Sequence, residues 1–129
     1  AGEDLLYDQR DAAGTRQVFI DGLWGQRPTE ALGLAQDKDG TVLDNHHPAI
    51  SADGRFVAYL EETTTDAAHR CRVHVYDRDT NAYRRMACPT ALAGQSETAR
   101  ASFSPDAAEL EWYLPGQAEP MVLANPLAE

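Results

Sequence analysis

Positive charge is scarce in this chain. Its 129 residues carry one lysine and ten arginines against 21 acidic residues, a formal charge of −10. Phosphate binding needs a basic surface, so a nucleic-acid partner is disfavoured. A basic protein partner is favoured electrostatically, although solubility alone accounts for the same acidic excess. Long apolar runs are also missing: no segment approaches about 18 consecutive apolar residues, so no transmembrane helix is expected. The serines lack the G-x-S-x-G context that exposes a nucleophile at a strand-to-helix turn, and Ser51 and Ser104 read as turn residues. Cysteine is limited to Cys71 and Cys88. At this length a single domain able to bury its own core is expected.

What the chain does have is strand patterning. Ser51-Ala52-Asp53-Gly54 is a polar turn in which Gly54 supplies a positive φ and Asp53 bonds its own backbone. From Arg55 to Leu60, Phe56, Ala58 and Leu60 fall on one face and Val57 and Tyr59 on the other, so both faces are apolar. Such a strand belongs inside a stack of sheets. A polar loop, Glu61 to Arg70, leads to a strand over Arg72–Tyr76, where Val73 and Val75 alternate with Arg72, His74 and Tyr76 on a wetter face. Asp77-Arg78-Asp79-Thr80-Asn81 then turns the chain, and Ala82 to Ala87 returns antiparallel.

The design recurs. Ala101-Ser102-Phe103-Ser104-Pro105-Asp106 followed by Leu110 to Leu114 repeats Pro48 to Asp53 followed by Phe56 to Leu60. The period is about 53 residues, near the roughly 40 to 50 of propeller blades. Upstream, Leu5-Leu6-Tyr7 and Gln17 to Asp21 look like the second and third strands of a blade without its first. These residues resemble the TolB-like, WD-like β-propeller repeat, whose S-P-D-G turn, apolar strand and Asp-terminated strand are most complete between Pro48 and Met86. The third copy replaces the turn glycine with Ala107, and the first lacks the S-x-D-G element.

The expected fold class is all-β: antiparallel sheets resembling two to three propeller blades in an incomplete or open propeller. Residues 1–129 form one β domain, with a partial blade at 1–44, the best-formed blade at 45–90 and a partial blade at 98–129. A closed ring takes roughly four to eight blades, more than this length supplies. The chain is then a fragment of a longer propeller, a subunit that closes a ring by oligomerisation, or a small open stack.

Cys71 begins one strand of the best-formed blade and Cys88 ends the next. A turn centred on Asp79 and Thr80 sets them opposite each other, at a separation a disulfide can span, while a one-residue bulge would spoil the register. Pairing implies an oxidising compartment, and Ala1-Gly2 fits a mature N-terminus left by signal-peptide removal; two free thiols in a cytosolic protein are the alternative. The expected location is periplasmic or otherwise exported.

Chemistry-bearing motifs are thin. Adjacent side chains of an extended chain point to opposite faces, so His46-His47 reads as a pair of loop histidines and no metal site is expected. Asp37-Lys38-Asp39-Gly40 resembles a calcium loop, but with Gly40 sixth the first position is Ala35 and the twelfth His46, where a carboxylate is needed. A turn at Asp39-Gly40 leading into Thr41-Val42-Leu43 fits better. Glu61-Glu62 and the pair Glu109 and Glu111 read as solvated carboxylates. No cofactor and no enzyme activity are expected.

The most distinctive segment is the loop from Glu61 to Arg70, dense in hydroxyls and carboxylates. Loops on rigid sheets are where binding residues concentrate. Glu61, Glu62, Thr63, Thr64, Thr65, Asp66 and His69 are the candidate partner-binding residues. The chain is similar in size, turn motif and polar loop to the periplasmic all-β immunity proteins of type VI secreted peptidoglycan amidases. That resemblance implies a loop-in-cleft inhibitor of a basic cell-wall hydrolase. The alternative is a propeller segment or a self-assembling TolB-like envelope scaffold.

Overall fold

The computed structural model describes residues 4–10, 15–22, 30–32, 43–63 and 70–128. They form an all-β fold of three antiparallel meanders. The first sheet has the order β1 (Asp4–Arg10), β2 (Arg16–Gly22), β3 (Glu30–Leu32). The second runs β4 (Leu43–Ile50), β5 (Phe56–Thr63), β6 (Cys71–Asp77), β7 (Tyr83–Ala87). A one-turn helix, α1 (Thr90–Ala93), leads to the third, β8 (Arg100–Phe103), β9 (Glu109–Tyr113), β10 (Met121–Ala124).

The sheets stack because β5 is apolar on both sides. All eight of its residues are buried. Val57 and Tyr59 pack with Val18 and Ile20 of β2, joining the second sheet to the first. Ala58 and Leu60, with Val73 and Val75 of β6, pack on Leu110 and Trp112 of β9, on Leu114 and on Leu92 of α1. The alternation expected for Phe56–Leu60 therefore holds, with a neighbouring sheet on each face. Truncating Leu60 or Leu110 in such a core costs about 2–5 kcal/mol.

The stack ends differently from how it is filled. The face of the third sheet turned away from the second carries Arg100, Ser102, Glu109, Tyr113, Val122 and Ala124, all exposed. It mixes polar and charged side chains with the exposed Tyr113 and Val122, in contrast to the doubly buried β5.

The Ser-x-Asp turn repeats in atomic detail. Ser51 Oγ donates to Asp53 Oδ1 at 2.6 Å and accepts from Phe56 N at 3.0 Å, while Asp53 Oδ1 also accepts Arg55 N at 3.0 Å. In the third sheet Ser104 Oγ donates to Asp106 Oδ1 at 2.8 Å and accepts Glu109 N at 3.0 Å, and Asp106 Oδ1 takes Ala108 N at 3.0 Å. Both serines are consumed by the turn. The backbone repeats too: Gly54 has φ 76° and Ala107, in its place, φ 60°. The left-handed geometry thus survives loss of the glycine because the Ser–Asp hydrogen bonds fix it.

Strand limits differ from the sequence reading at three places. The second strand of the best blade runs to Thr63, so Glu61, Glu62 and Thr63 belong to β5 and not to a loop. His46 and His47 lie within β4, again not in a loop. Strand β10 and helix α1 carry no apolar pattern long enough to announce them. The turn after β6 is as expected, and Asp77 anchors it: Arg55 donates through Nε to Oδ1 at 3.0 Å and through Nη2 to Oδ2 at 2.8 Å. The calcium-like segment at 37–40 and the start of the Thr41–Leu43 strand lie outside the described residues.

Ala107→Gly is expected to stabilise the chain by about 0.5–1 kcal/mol, since an L-residue at positive φ costs roughly 1–2 kcal/mol and glycine returns part of that as unfolded-state entropy. Urea denaturation at neutral pH measures it. A second expectation concerns acid. Arg55's hydrogen bonds hold the Asp77 carboxyl at about 2, below its usual 3.8, so its contribution is present above pH 3.8 and is lost as pH falls toward 2. Asp77→Asn should lower stability at pH 7 by about 2 kcal/mol, the scale of hydrogen bonds to a charged group, and should flatten this part of the acid limb.

Candidate functional site

Two polar regions stand out from the apolar stack. The first is the base of the hairpin joining β5 to β6. Thr63 N donates to Arg70 O at 3.0 Å, and Arg70 N returns a bond to Thr63 Oγ1 at 2.8 Å. One residue further on, Cys71 pairs with Glu62 across the ladder and is disulfide-bonded to Cys88, with Cα atoms 5.4 Å apart. Cys88 N also donates to Cys71 O at 3.0 Å. The register Tyr76↔Tyr83 through Arg72↔Ala87 places the cysteines opposite each other, as a turn centred on Asp79 and Thr80 requires. Thr63 and Arg70, the described residues on either side of positions 64–69, are therefore bonded to each other and braced by the bridge. Thr64, Thr65, Asp66 and His69 lie outside the described residues.

Glu61, Glu62 and Thr63 are scaffold by position. Glu61 is 1% exposed and sits among Arg72 Nε at 3.5 Å, Arg85 Nε at 3.3 Å and His74 Nδ1 at 3.5 Å. The solvated-carboxylate reading is corrected here: the side chain continues the Val57–Tyr59 stripe inward and meets cations instead of water. Burial works against its charge, but His74, Arg85 and Arg72 outweigh burial and hold Glu61 below the usual carboxylate range. A Tyr59–His74–Tyr83 ring stack at 4.7 and 5.2 Å, with Arg85 over Tyr83, covers this group. Burial, then the Glu61 charge, pushes the Tyr59 hydroxyl up.

The second region lies where the three sheets meet. Arg16, at the start of β2, donates Nε to both Asp44 oxygens at 3.1 and 3.2 Å and Nη2 to Asp44 Oδ2 at 2.7 Å. Its Nη1 and Nη2 also reach Glu97 Oε2 at 2.9 Å and Oε1 at 2.5 Å. One guanidinium thus forks onto β4 and onto the segment before β8, tying all three sheets together. Burial opposes the charge on Arg16, but hydrogen bonds to Asp44 and Glu97 more than offset it and raise its pKa. Asp44 is held low against its burial by the same bonds, and Glu97 is held low chiefly by Arg16.

His46 and His47 join this junction through a bulge. The β4–β5 register shifts between His46 and Ala49, and His47 takes φ 55°. The alternation that should separate the two rings is broken there, and their Nδ1 atoms meet. Pro48 falls in the same bulge, where its missing N–H interrupts no ladder bond. His46 is fully buried, with Nε2 2.6 Å from Glu62 Oε1. Asp44, His46 and Glu97 offer ligand atoms within 4.8 Å of one another, a spacing a cation could use. Arg16 already lies on both carboxylates, so this arrangement is an ion-pair network.

None of Asp8, Arg16, Asp44 and Glu97 was legible as a site residue, because the contacts run across 28, 39 and 81 positions with no local motif. Glu61 and Glu62 did carry a signal: each continues one apolar stripe of β5, and a carboxylate there needs a buried partner.

No family model matches the chain, and no curated protein matches it. Among solved structures it is similar to a prolyl endopeptidase, a protein with a β-propeller domain, at a TM-score of 0.54 and 14% identity. The match covers 98% of this chain and 22% of the endopeptidase. At that identity the likeness is one of fold: blade-like antiparallel sheets. Among the described residues no helix is long and apolar enough to cross a membrane.

Arg16→Gln is expected to cost about 3 kcal/mol, the low end for breaking a buried pair, because it takes the guanidinium from the part-buried Asp44 carboxylate. Glu97→Gln, at a side chain 62% exposed, should cost no more than about 1 kcal/mol. Parallel urea melts of the two variants check the contrast.

Proposed function

We propose that this chain is a non-enzymatic, exported protein-binding domain that blocks a partner's cleft, an inhibitor or immunity protein directed at a basic cell-wall hydrolase. The observation that carries the reading is the double clamp under segment 64–69. A strand pair, a reciprocal Thr63–Arg70 hydrogen bond and the Cys71–Cys88 bridge order its base before any partner arrives. Preorganisation of this kind lowers the entropic cost of inserting a loop into a cleft. A formal charge of −10 suits a basic rim, and the bridge suits an oxidising compartment.

A second reading, a propeller segment or self-assembling TolB-like scaffold, draws on the match to 22% of a much longer chain. Solution mass separates the two. Light scattering should give a monomer near 14.1 kDa for the inhibitor, whereas a discrete oligomer with enough blades to close a ring would favour the scaffold.

The contact residues are then Thr64, Thr65, Asp66 and His69, with Glu61, Glu62 and Thr63 as their support. Replacing Thr64 and Thr65 with glycine should leave the melting curve unchanged and weaken binding to a purified peptidoglycan amidase at least tenfold, about 1.4 kcal/mol. Calorimetric titration measures this. Equal affinity of variant and parent would remove the loop from the interface, and no binding by the parent would remove the amidase as partner.

A further inference from the structure

Three hydrogen bonds run in series through the junction of the sheets. Glu62 Oε1 faces His46 Nε2 at 2.6 Å, His46 Nδ1 meets His47 Nδ1, and His47 Nε2 lies 3.1 Å from the backbone carbonyl of Glu97. The carbonyl end can only accept, and an ionised Glu62 can only accept at the other. Each of the three contacts therefore needs its own proton. Two neutral imidazoles bring only two, so the series is complete only with one more.

We propose that Glu62, His46 and His47 form a pH-sensitive latch that holds one proton more than two neutral rings and, by holding it, fastens the second sheet to its neighbours. Imidazole is a stronger base than carboxylate, which puts the extra proton on a ring. His46 then donates from both nitrogens, to Glu62 and to His47 Nδ1, and neutral His47 donates Nε2–H to Glu97.

The surroundings fit a single extra charge. Asp8 from β1, Asp44 from β4, Glu62 from β5 and Glu97 before β8 face the pair, opposed by Arg16 from β2. Among the described residues these are four carboxylates and one guanidinium, a setting in which one added cation is tolerated. A second is excluded: burial, then the charges of His46 and Arg16, hold His47 below its ordinary value. Geometry points the same way, since His47 keeps a left-handed φ of 55° that a non-glycine residue adopts only when surrounding contacts hold it. Its backbone N–H is fixed by Asp8 Oδ2 at 3.0 Å, so one residue binds the first sheet through its backbone and the segment before β8 through its ring.

The sign follows from linkage. The series is complete only while the third proton is held, so its contribution belongs to the acid side and is lost once that proton leaves. Alkaline conditions should open the latch and acid should close it.

Ring ¹⁵N spectra of the intact, histidine-labelled chain between pH 5.5 and 9 test this directly. At pH 7 three of the four ring nitrogens of His46 and His47 should be protonated, with His47 Nδ1 bare. One proton should leave in a single step at higher pH, and the amide signals of His47 and Glu97 should move with it. Two neutral rings at pH 7 would overturn the proposal. So would a step that leaves those amides still. His47→Phe removes the acceptor of His46 Nδ1–H and should leave the His46 ring with a single proton at pH 7; a ring that still carries two would also overturn it. The parent spectrum decides the matter if that variant does not fold.

Discussion

A strand buried on both faces needs an apolar partner on each side, and β5 imposes that demand on the whole chain. Val57 and Tyr59 require the first sheet, and Ala58 and Leu60 require the third. Remove either neighbour and a stripe of the second sheet faces water. The three meanders thus share buried surface through β5, although each is local in sequence. The polar junction around Arg16 adds direction to this packing. Apolar surfaces tolerate sliding, whereas a guanidinium forked onto Asp44 and Glu97 accepts few relative positions of the sheets.

Much of the fold could be read from the chain because its determinants are local. The Ser-x-Asp turn, the two apolar faces of Phe56–Leu60 and the alternation of Val73 and Val75 act over a few residues, and the Tyr76↔Tyr83 register follows from the turn between them. The match of Cys71 to Cys88 is a consequence of that register. What escaped the sequence depends on contacts made in space. Nothing in Arg16 foretells Glu97, and nothing in His46-His47 foretells a bulge that turns both rings to one side. Glu61 and Glu62 were misread for a related reason: composition alone says that carboxylates face water, and only position on a buried stripe says otherwise.

Function divides along the same line. The base of the β5–β6 hairpin, with the Thr63–Arg70 bonds and the Cys71–Cys88 bridge, is an ordered polar feature at one end of the second sheet. The junction of Asp8, Arg16, Asp44, His46, His47, Glu62 and Glu97 is an internal feature, suited to setting how firmly the sheets are held together. Its charges lie at the ends of β4 and β5 away from the Ser51–Asp53 turn, toward the same end as Thr63. The junction and the hairpin base therefore share one end of the second sheet.

The Cys71–Cys88 bridge joins two neighbouring strands of a single hairpin, its ends 17 positions apart in sequence, and links no sheet to another. Its thiols meet only after β6 and β7 have zipped from the turn at Asp79 and Thr80. Oxidation therefore records a register already chosen and does not choose it. A chain emerging residue by residue completes this hairpin before the third sheet exists. The covalent lock can close early, and the later arrival of β8 to β10 covers it from the side.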